Sequence, residues 1–233
     1  MGPIMDFADY RIHDIMQNLS LAGFQPLDIM VAGVTGAGKS TTLNSFFQRV
    51  VATVGNGVDP ETMTVGDYSL NRYFRIWDTP GLGDGVEQDK IHKEKMIALL
   101  NKTWGVYKFI DLVLVIIEGV NKDMGTTYTL LNEVIVPRIQ SDRILVVINQ
   151  ADIAMKGRHW DQAAKRPDSQ LLSFLDEQAA SIQRRGKEAT GVNIYRPVYY
   201  SAEYGYNVDK LFDFIIDHMP RERRLPMREE QRQ

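Results

Sequence analysis

With 233 residues, 44% of them hydrophobic, and a formal net charge of −3, the chain can bury one sizeable core and has no overall charge that would draw nucleic acid or an anionic membrane. It contains no cysteine, which excludes disulfides and thiolate metal sites and suits a reducing cytoplasm. No apolar run reaches the roughly 18–20 residues needed to span a bilayer and the N-terminus lacks a signal-peptide pattern, so a cytoplasmic protein without a membrane partner is expected.

Ile12, Ile15, Met16 and Leu19 recur at a helical period, and residues 6–20 read as a helix ending near Gly23 and Pro26. Residues 1–26 are therefore expected as a helical extension, 27–219 as one domain and 220–233 as a charged, mobile tail. Leu27 to Ala32 reads as a buried strand that runs into Gly33-Val34-Thr35-Gly36-Ala37-Gly38-Lys39-Ser40. A glycine-rich loop between a strand and a helix turns its backbone N–H groups inward around phosphate. Lys39 is placed to reach β and γ phosphates and the Ser40 hydroxyl to ligate Mg²⁺, with Thr41 next in the nucleotide-binding set. Leu43, Phe46, Phe47 and Val50 mark the buried face of the helix that follows.

Thr64 to Leu70 and Tyr73 to Trp77 are too close for a crossover helix and should pair as an antiparallel hairpin around Asn71-Arg72. Asp78-Thr79-Pro80-Gly81 follows directly, so Asp78 is expected beside the phosphate loop as a Mg²⁺ ligand through water, and Gly81 as a backbone donor to a γ phosphate. Helices are expected at about 88–104, 124–138 and 168–186. Leu112 to Ile117 and Ile144 to Ile148 are near-continuous apolar runs, the pattern of parallel strands covered on both faces. Asn149-Gln150-Ala151-Asp152 leaves the second of these. A carboxylate there can accept from both N1–H and the exocyclic amine of guanine, which adenine cannot match, so Asp152 is read as the residue that sets base choice. His159 and Trp160 either cover the nucleotide or pack on an ordinary loop. A short strand at Val198 to Tyr200 leads to Ser201-Ala202-Glu203, which can offer a backbone N–H to guanine O6. The last helix, 207–219, carries Val208, Leu211, Phe212, Ile215, Ile216 and Met219 on one face. Alternating strands and helices make this an α/β, three-layer fold with a mostly parallel sheet, and in such sheets ligands bind at the carboxyl ends of the strands, where these motifs fall.

Four motifs in this order resemble those of translation-factor-class small GTPases, in particular the Era-like and YfjP-like bacterial branch, over roughly residues 27–219. The Thr35-Gly36-Ala37-Gly38 wording is also similar to septin and AIG1-type proteins. The resemblance implies a Ras-like G domain of the P-loop NTPase class, with a six-stranded sheet and one antiparallel edge strand. It further implies binding of GTP and GDP with Mg²⁺, and hydrolysis that switches two loops. A threonine of the first loop should ligate Mg²⁺ and meet the γ phosphate; Thr62 is the choice, with Thr64 as the alternative. The metal set implied is then Ser40, Thr62 and Asp78, and the catalytic set Lys39, Thr62 and Gly81. Partners implied by family analogy are a protein effector, a nucleotide-dependent homodimer, and RNA or the ribosome.

Three positions depart from the family. Gln150 stands where a lysine stem usually lies along the base, which is expected to weaken GTP affinity or loosen selectivity. Gly36 replaces the asparagine of potassium-activated relatives, so no potassium stimulation is expected. Leu82 occupies the place of the water-orienting glutamine, and an apolar side chain cannot align water, so the intrinsic rate should be well under about one per second. Two readings of different class compete: a GTP hydrolase acting as a molecular switch, and a nucleotide-binding scaffold with negligible hydrolysis. Asp152 argues against an ATPase.

Overall fold

The computed structural model describes residues 7, 9–47, 66–120 and 124–227. In chain order the elements are α1 (Ile12–Ala22), β1 (Leu27–Gly33), α2 (Lys39–Phe47), β2 (Gly66–Ser69), β3 (Phe74–Asp78), α3 (Val86–Asn101), β4 (Thr103–Trp104), β5 (Tyr107–Lys108) and β6 (Leu112–Glu118). They continue with α4 (Gly125–Thr129), which widens into a π-helical turn over Leu130–Ile135, then β7 (Ile144–Asn149), β8 (Trp160–Asp161), β9 (Arg166–Pro167), α5 (Ser169–Thr190), β10 (Val198–Tyr199) and α6 (Val208–Asp217).

Six strands form one sheet in the order β10-β7-β6-β1-β3-β2. All neighbours run parallel except β2, which pairs antiparallel with β3 at the edge. β2 and β3 are joined by a short turn, so only an antiparallel pairing is available to them. The period of two sorts β1 between two cores. Leu27, Ile29 and Val31 face α1, α2 and α6, packing with Ile15, Leu43, Phe46 and Phe212. Met30 and Ala32 face the other layer, with Met96, Leu100, Val134 and Ile182. Both faces are covered, which is why β6 and β7 read as unbroken apolar runs.

Four boundaries differ from expectation. α3 leaves its helix at Lys102, and residues 103–108, partly expected as helix, form a two-stranded ribbon turning at Gly105 with φ 60°. The helix expected at 124–138 relaxes from α to π geometry at Leu130. α5 runs on to Thr190, started by the Asp168 carboxylate accepting from the N–H groups of Gln170 and Leu171 at 2.9 and 3.0 Å. The tail begins as an anchored segment rather than a mobile one. Arg224 is fully buried, its guanidinium donating to the carbonyls of Arg138 and Leu100 at 2.6 and 2.8 Å, while Lys108 N–H donates to Arg224 O at 2.7 Å. An arginine can end buried when its fixed fork of donors finds carbonyls.

Candidate functional site

Sheet register sets the site. Val31 lies opposite Asp78, Gly33 opposite Ile116, and Glu118 opposite Asn149, so the strands end together and release their loops on one rim. The loop 33–40, Asp78 to Gly81, Asn149 to Asp152 and Ser201 to Glu203 all leave the sheet there.

Lys39 is buried, and its ammonium donates to the carbonyls of Val34 at 3.0 Å and Gly33 at 3.4 Å. Burial pushes its pKa down, opposed by the charges of Asp78, Asp84 and Glu118. Asp78 is 1% exposed and burial pushes its carboxyl up to about 6, against the pull of Lys39 and a hydrogen bond from Thr79 N–H. Its Oδ1 is buried with no hydrogen-bond partner. A buried carboxylate oxygen left unmatched costs free energy unless a cation or donor meets it. With the Ser40 hydroxyl in the first turn of α2, directly after the phosphate loop, the donors are hard oxygens, the chemistry that suits Mg²⁺. That ion needs only one or two protein ligands when phosphate and water supply the rest. No cluster of three or more His, Cys, Asp or Glu suited to a metal occurs among the described residues. Thr62 and Thr64 lie outside the described residues.

Asn149 ties three motifs together. Its side-chain amide donates to Ala37 O at 3.0 Å and Gly38 O at 3.5 Å, and its Oδ1 accepts from Ala202 N–H at 3.1 Å. Gly38 sits at φ 81°, and a Cβ there would run into the Asn149 amide nitrogen, so the close approach requires glycine. Gln150, at φ 63°, donates from Nε2 to Gly36 O at 2.8 Å, so the shorter amide still reaches the phosphate loop. Asp152 is 9% exposed, and its Oδ1 is buried without a partner. Of the backbone N–H groups that Ser201-Ala202-Glu203 was expected to offer to guanine O6, that of Ala202 is engaged by Asn149 Oδ1. Ser201 is held by Tyr206 O at 3.0 Å and by Tyr204 N–H on its hydroxyl at 3.3 Å, and Glu203 is exposed. Trp160 packs rather than covers: it is 7% exposed, among Ala151, Ala154, Leu171 and Leu175, with Tyr204 and Tyr206 rings 5.3 and 5.5 Å away.

The segment after Asp78 is fastened to the phosphate loop. Thr35 N–H donates to Leu82 O at 2.8 Å and Leu82 N–H to Gly33 O at 3.3 Å, while a Cβ on Gly81 would strike Thr35 at 2.5–2.7 Å. Leu82 is fully buried in the core beside Met96 and Leu100, so its side chain takes no part in the rim. Three residues that no sequence motif marked complete the arrangement. His92 is fully buried with Nδ1 2.7 Å from Gly81 O; a carbonyl only accepts, so Nδ1 carries the proton. Asp89 accepts from Gly83 and Asp84 N–H at 2.8 and 3.2 Å, and Asp84 Oδ2 accepts from the Thr35 hydroxyl at 2.8 Å. The one available signal was Asp89 in the first turn of a helix, next to backbone donors.

Comparison with known proteins agrees with this geometry. A family model described as 50S ribosome-binding GTPase matches residues 28–150, more than half of the chain. No curated protein matches it. Among solved structures, Era of Aquifex aeolicus bound to GDP and AlF4⁻ is 20% identical with a TM-score of 0.56, over 84% of this chain and 58% of that one. The chain thus spans less than two thirds of the length of Era. Toc33 of Arabidopsis thaliana, in complex with GDP and Mg²⁺, is 16% identical with a TM-score of 0.65, over 94% of each chain. A dimerization-deficient variant of Toc33 matches similarly, with a TM-score of 0.63 at 16% identity over 95% of each chain. At these identities the structural likeness speaks for the fold, a P-loop GTPase sheet with mixed helices and strands. The family match and the rim of converging motifs together place the chain in the family of 50S ribosome-binding GTPases, as a GTP-binding G domain.

Proposed function

We propose that residues 27–219 form a unit that binds GTP and GDP with Mg²⁺, hydrolyses GTP to GDP and phosphate at a low intrinsic rate, and acts as a molecular switch. The observation that carries this reading is a pair of buried, unpartnered carboxylate oxygens, Asp78 Oδ1 and Asp152 Oδ1, on the same rim as the phosphate loop. One fits a cation, the other the paired donors of guanine.

In this reading the N–H groups of Gly36 to Thr41 hold the phosphates, helped by Gly33 and Thr35 in shaping the loop. Lys39 moves its donors from loop carbonyls to β and γ oxygens. Ser40, Asp78 and Thr62 would hold Mg²⁺, which would supply neutralisation of phosphate charge. Gly81 presents its N–H to the γ phosphate, with its carbonyl braced by His92. Asn149 and Gln150 keep the loop and the base motif in register, Asp152 reads the base, and Ser201, Ala202 and Glu203 close its far side. The second reading, a scaffold with negligible hydrolysis, is favoured by one observation: Leu82 is buried in the core and leaves no polar side chain at the water-orienting position. By analogy with the 16S ribosomal RNA named for an Era complex and the dimerization named for Toc33, an RNA or ribosomal contact, a homodimer and a protein effector extend the first reading. Nucleotide binding requires none of them.

Single-turnover GTP hydrolysis with Mg²⁺ separates the two. A slow phosphate release that disappears in Lys39→Ala, and slows in Thr62→Ala with GDP binding intact, supports the switch. Tight binding without any release favours the scaffold.

A further inference from the structure

We infer that Asp84 is a specificity-determining residue that biases the site toward the diphosphate by holding a carboxylate against the γ-phosphate end of the loop. The inference deepens the proposed function and rests on it.

Thr35 is the third residue of the phosphate loop and its hydroxyl donates to Asp84 Oδ2 at 2.8 Å. Asp84 is kept in place from behind, because Asp89 Oδ1 accepts the N–H groups of both Gly83 and Asp84. From in front it is fixed by the backbone exchange between Thr35 and Leu82 and by the contact of Gly81 with Thr35. Gly81, the donor assigned to the γ phosphate, lies three residues before it, whereas the loop N–H groups of Gly36 to Ser40 lie beyond Thr35. The carboxylate also lies close enough to Lys39 for its charge to act on that ammonium. Asp84 is therefore tied to Thr35, which Gly81 packs against, on the side of the loop to which the proposed function assigns the γ phosphate.

The electrostatic consequence follows from charge alone. A γ phosphate places roughly two negative charges at the γ position, about one more in total than the diphosphate carries, and like charges next to a carboxylate in a partly buried site repel. The Thr35–Asp84 hydrogen bond survives with a diphosphate and is strained by a triphosphate. The carboxylate is half-exposed, so screening limits the effect. Removing the charge while keeping an oxygen for Thr35 should thus favour triphosphate selectively.

The test is calorimetric titration of the full chain with GDP and with GMPPNP, both with Mg²⁺. In Asp84→Asn the ratio of GMPPNP to GDP dissociation constants should fall by about fivefold, with GDP affinity within about twofold of the parent, as expected for a screened charge pair. Asp84→Glu, which keeps the charge, should hold the parental ratio. An unchanged ratio in Asp84→Asn, or an equal fall in Asp84→Glu, overturns the inference while GDP binding stands. Failure of the parent chain to bind GDP at all is a different result and removes the proposed function together with this inference.

Discussion

The two ends of the sheet handle buried carboxylates in opposite ways. At the carboxyl ends, Asp78 Oδ1 and Asp152 Oδ1 have no partner, and Lys39 is matched only with carbonyls of its own loop. At the amino ends, Asp28 is closed by Arg75 at 2.5 and 3.0 Å and by the Trp77 indole N–H at 2.7 Å. Asp111 accepts from Asp28 N–H at 3.1 Å, and Arg143 donates to Asp111 O at 3.3 Å and Glu222 O at 2.8 Å. A cavity of about 190 Å³ opens beside Asp28, Asp111 and Arg223, yet the carboxylates on its wall already have partners. An unmatched buried carboxylate oxygen costs stability that a bound cation or donor can offset, whereas a carboxylate already met by donors needs no ligand. The contrast separates a binding rim from a structural base on physical grounds.

The largest expected effect tests the base. Arg224→Ala removes the donors of one buried and one partly buried carbonyl and leaves a void, which should lower stability by about 3 kcal/mol and Tm by roughly 6–12 °C in a domain of this size. Lys39→Ala also removes the donor of two carbonyls, but these belong to its own loop and burial disfavours the ammonium, so it should lower Tm by much less than Arg224→Ala while abolishing nucleotide binding. Thermal scans of the two variants check this pairing. A destabilised Lys39→Ala beside an unaffected Arg224→Ala would break the comparison outright.

A second test concerns the rim alone. Asp152→Asn converts an acceptor pair into one acceptor and one donor, which suits xanthine and opposes guanine. The preference for GTP over xanthosine triphosphate should change by about 100-fold or more, since a site built to hydrogen-bond one edge rejects another strongly. Competition titration reads it directly, and an unchanged preference removes Asp152 from the base site.

How much of this was legible in the sequence depends on how local each feature is. The loop at 33–40, Asp78 to Gly81 and Asn149 to Asp152 are short stretches whose chemistry is written in consecutive residues, and their place at strand ends followed from apolar periodicity. The antiparallel edge strand was legible because the turn at Asn71-Arg72 leaves no room for a crossover. The tie between Thr35 and Asp84, the brace from His92 to Gly81 and the strut from Gln150 to Gly36 join distant residues through atoms that no spacing rule reaches. The burial of Arg224 was hidden because arginine in a charged tail is usually solvated; only the carbonyls of Leu100 and Arg138, brought together by folding, offset the cost of taking its charge out of water. The helix expected to reach residue 104 stopped at Asn101 because Gly105 turns the chain into a ribbon, a choice that Lys102 and Thr103 do not announce.

The base also carries a pH signature. Burial pushes the Asp111 carboxyl up to about 7, with the hydrogen bond from Asp28 N–H opposing and the charge of Asp28 adding to the rise. Its native pKa lies above the ordinary carboxylate value, so the folded state binds the proton more tightly than the unfolded chain. The stability this group contributes is complete below about pH 4 and is lost as pH rises through about 7. Asp111→Asn keeps an acceptor for Asp28 and cannot ionise. The variant should therefore gain on the parent between pH 5 and 8 by on the order of 1–3 kcal/mol, because a tenfold difference in proton affinity between the folded and unfolded chain is worth about 1.4 kcal/mol. Urea unfolding across that range measures it. The difference should be the same with and without GDP and Mg²⁺, because Asp111 lies at the end remote from the nucleotide; a nucleotide-dependent difference would blur the two ends.

The smallest effect sharpens the rim. Gln150 replaces the residue whose stem was expected to matter for the base, yet its amide meets Gly36 O at 2.8 Å. If that strut fixes the loop against the base motif, Gln150→Ala should weaken GDP by about three- to tenfold, the range of one net hydrogen bond. Gln150→Lys can restore the strut with a longer donor and adds an aliphatic stem over the base, so it should match or exceed the parent. Equal affinity in the alanine variant would mean that Asn149, with its bonds to Ala37 and Ala202, holds the two motifs together unaided. An alanine variant weakened for GTP and ATP alike would instead assign Gln150 to the phosphate loop rather than to base choice, leaving that choice to Asp152.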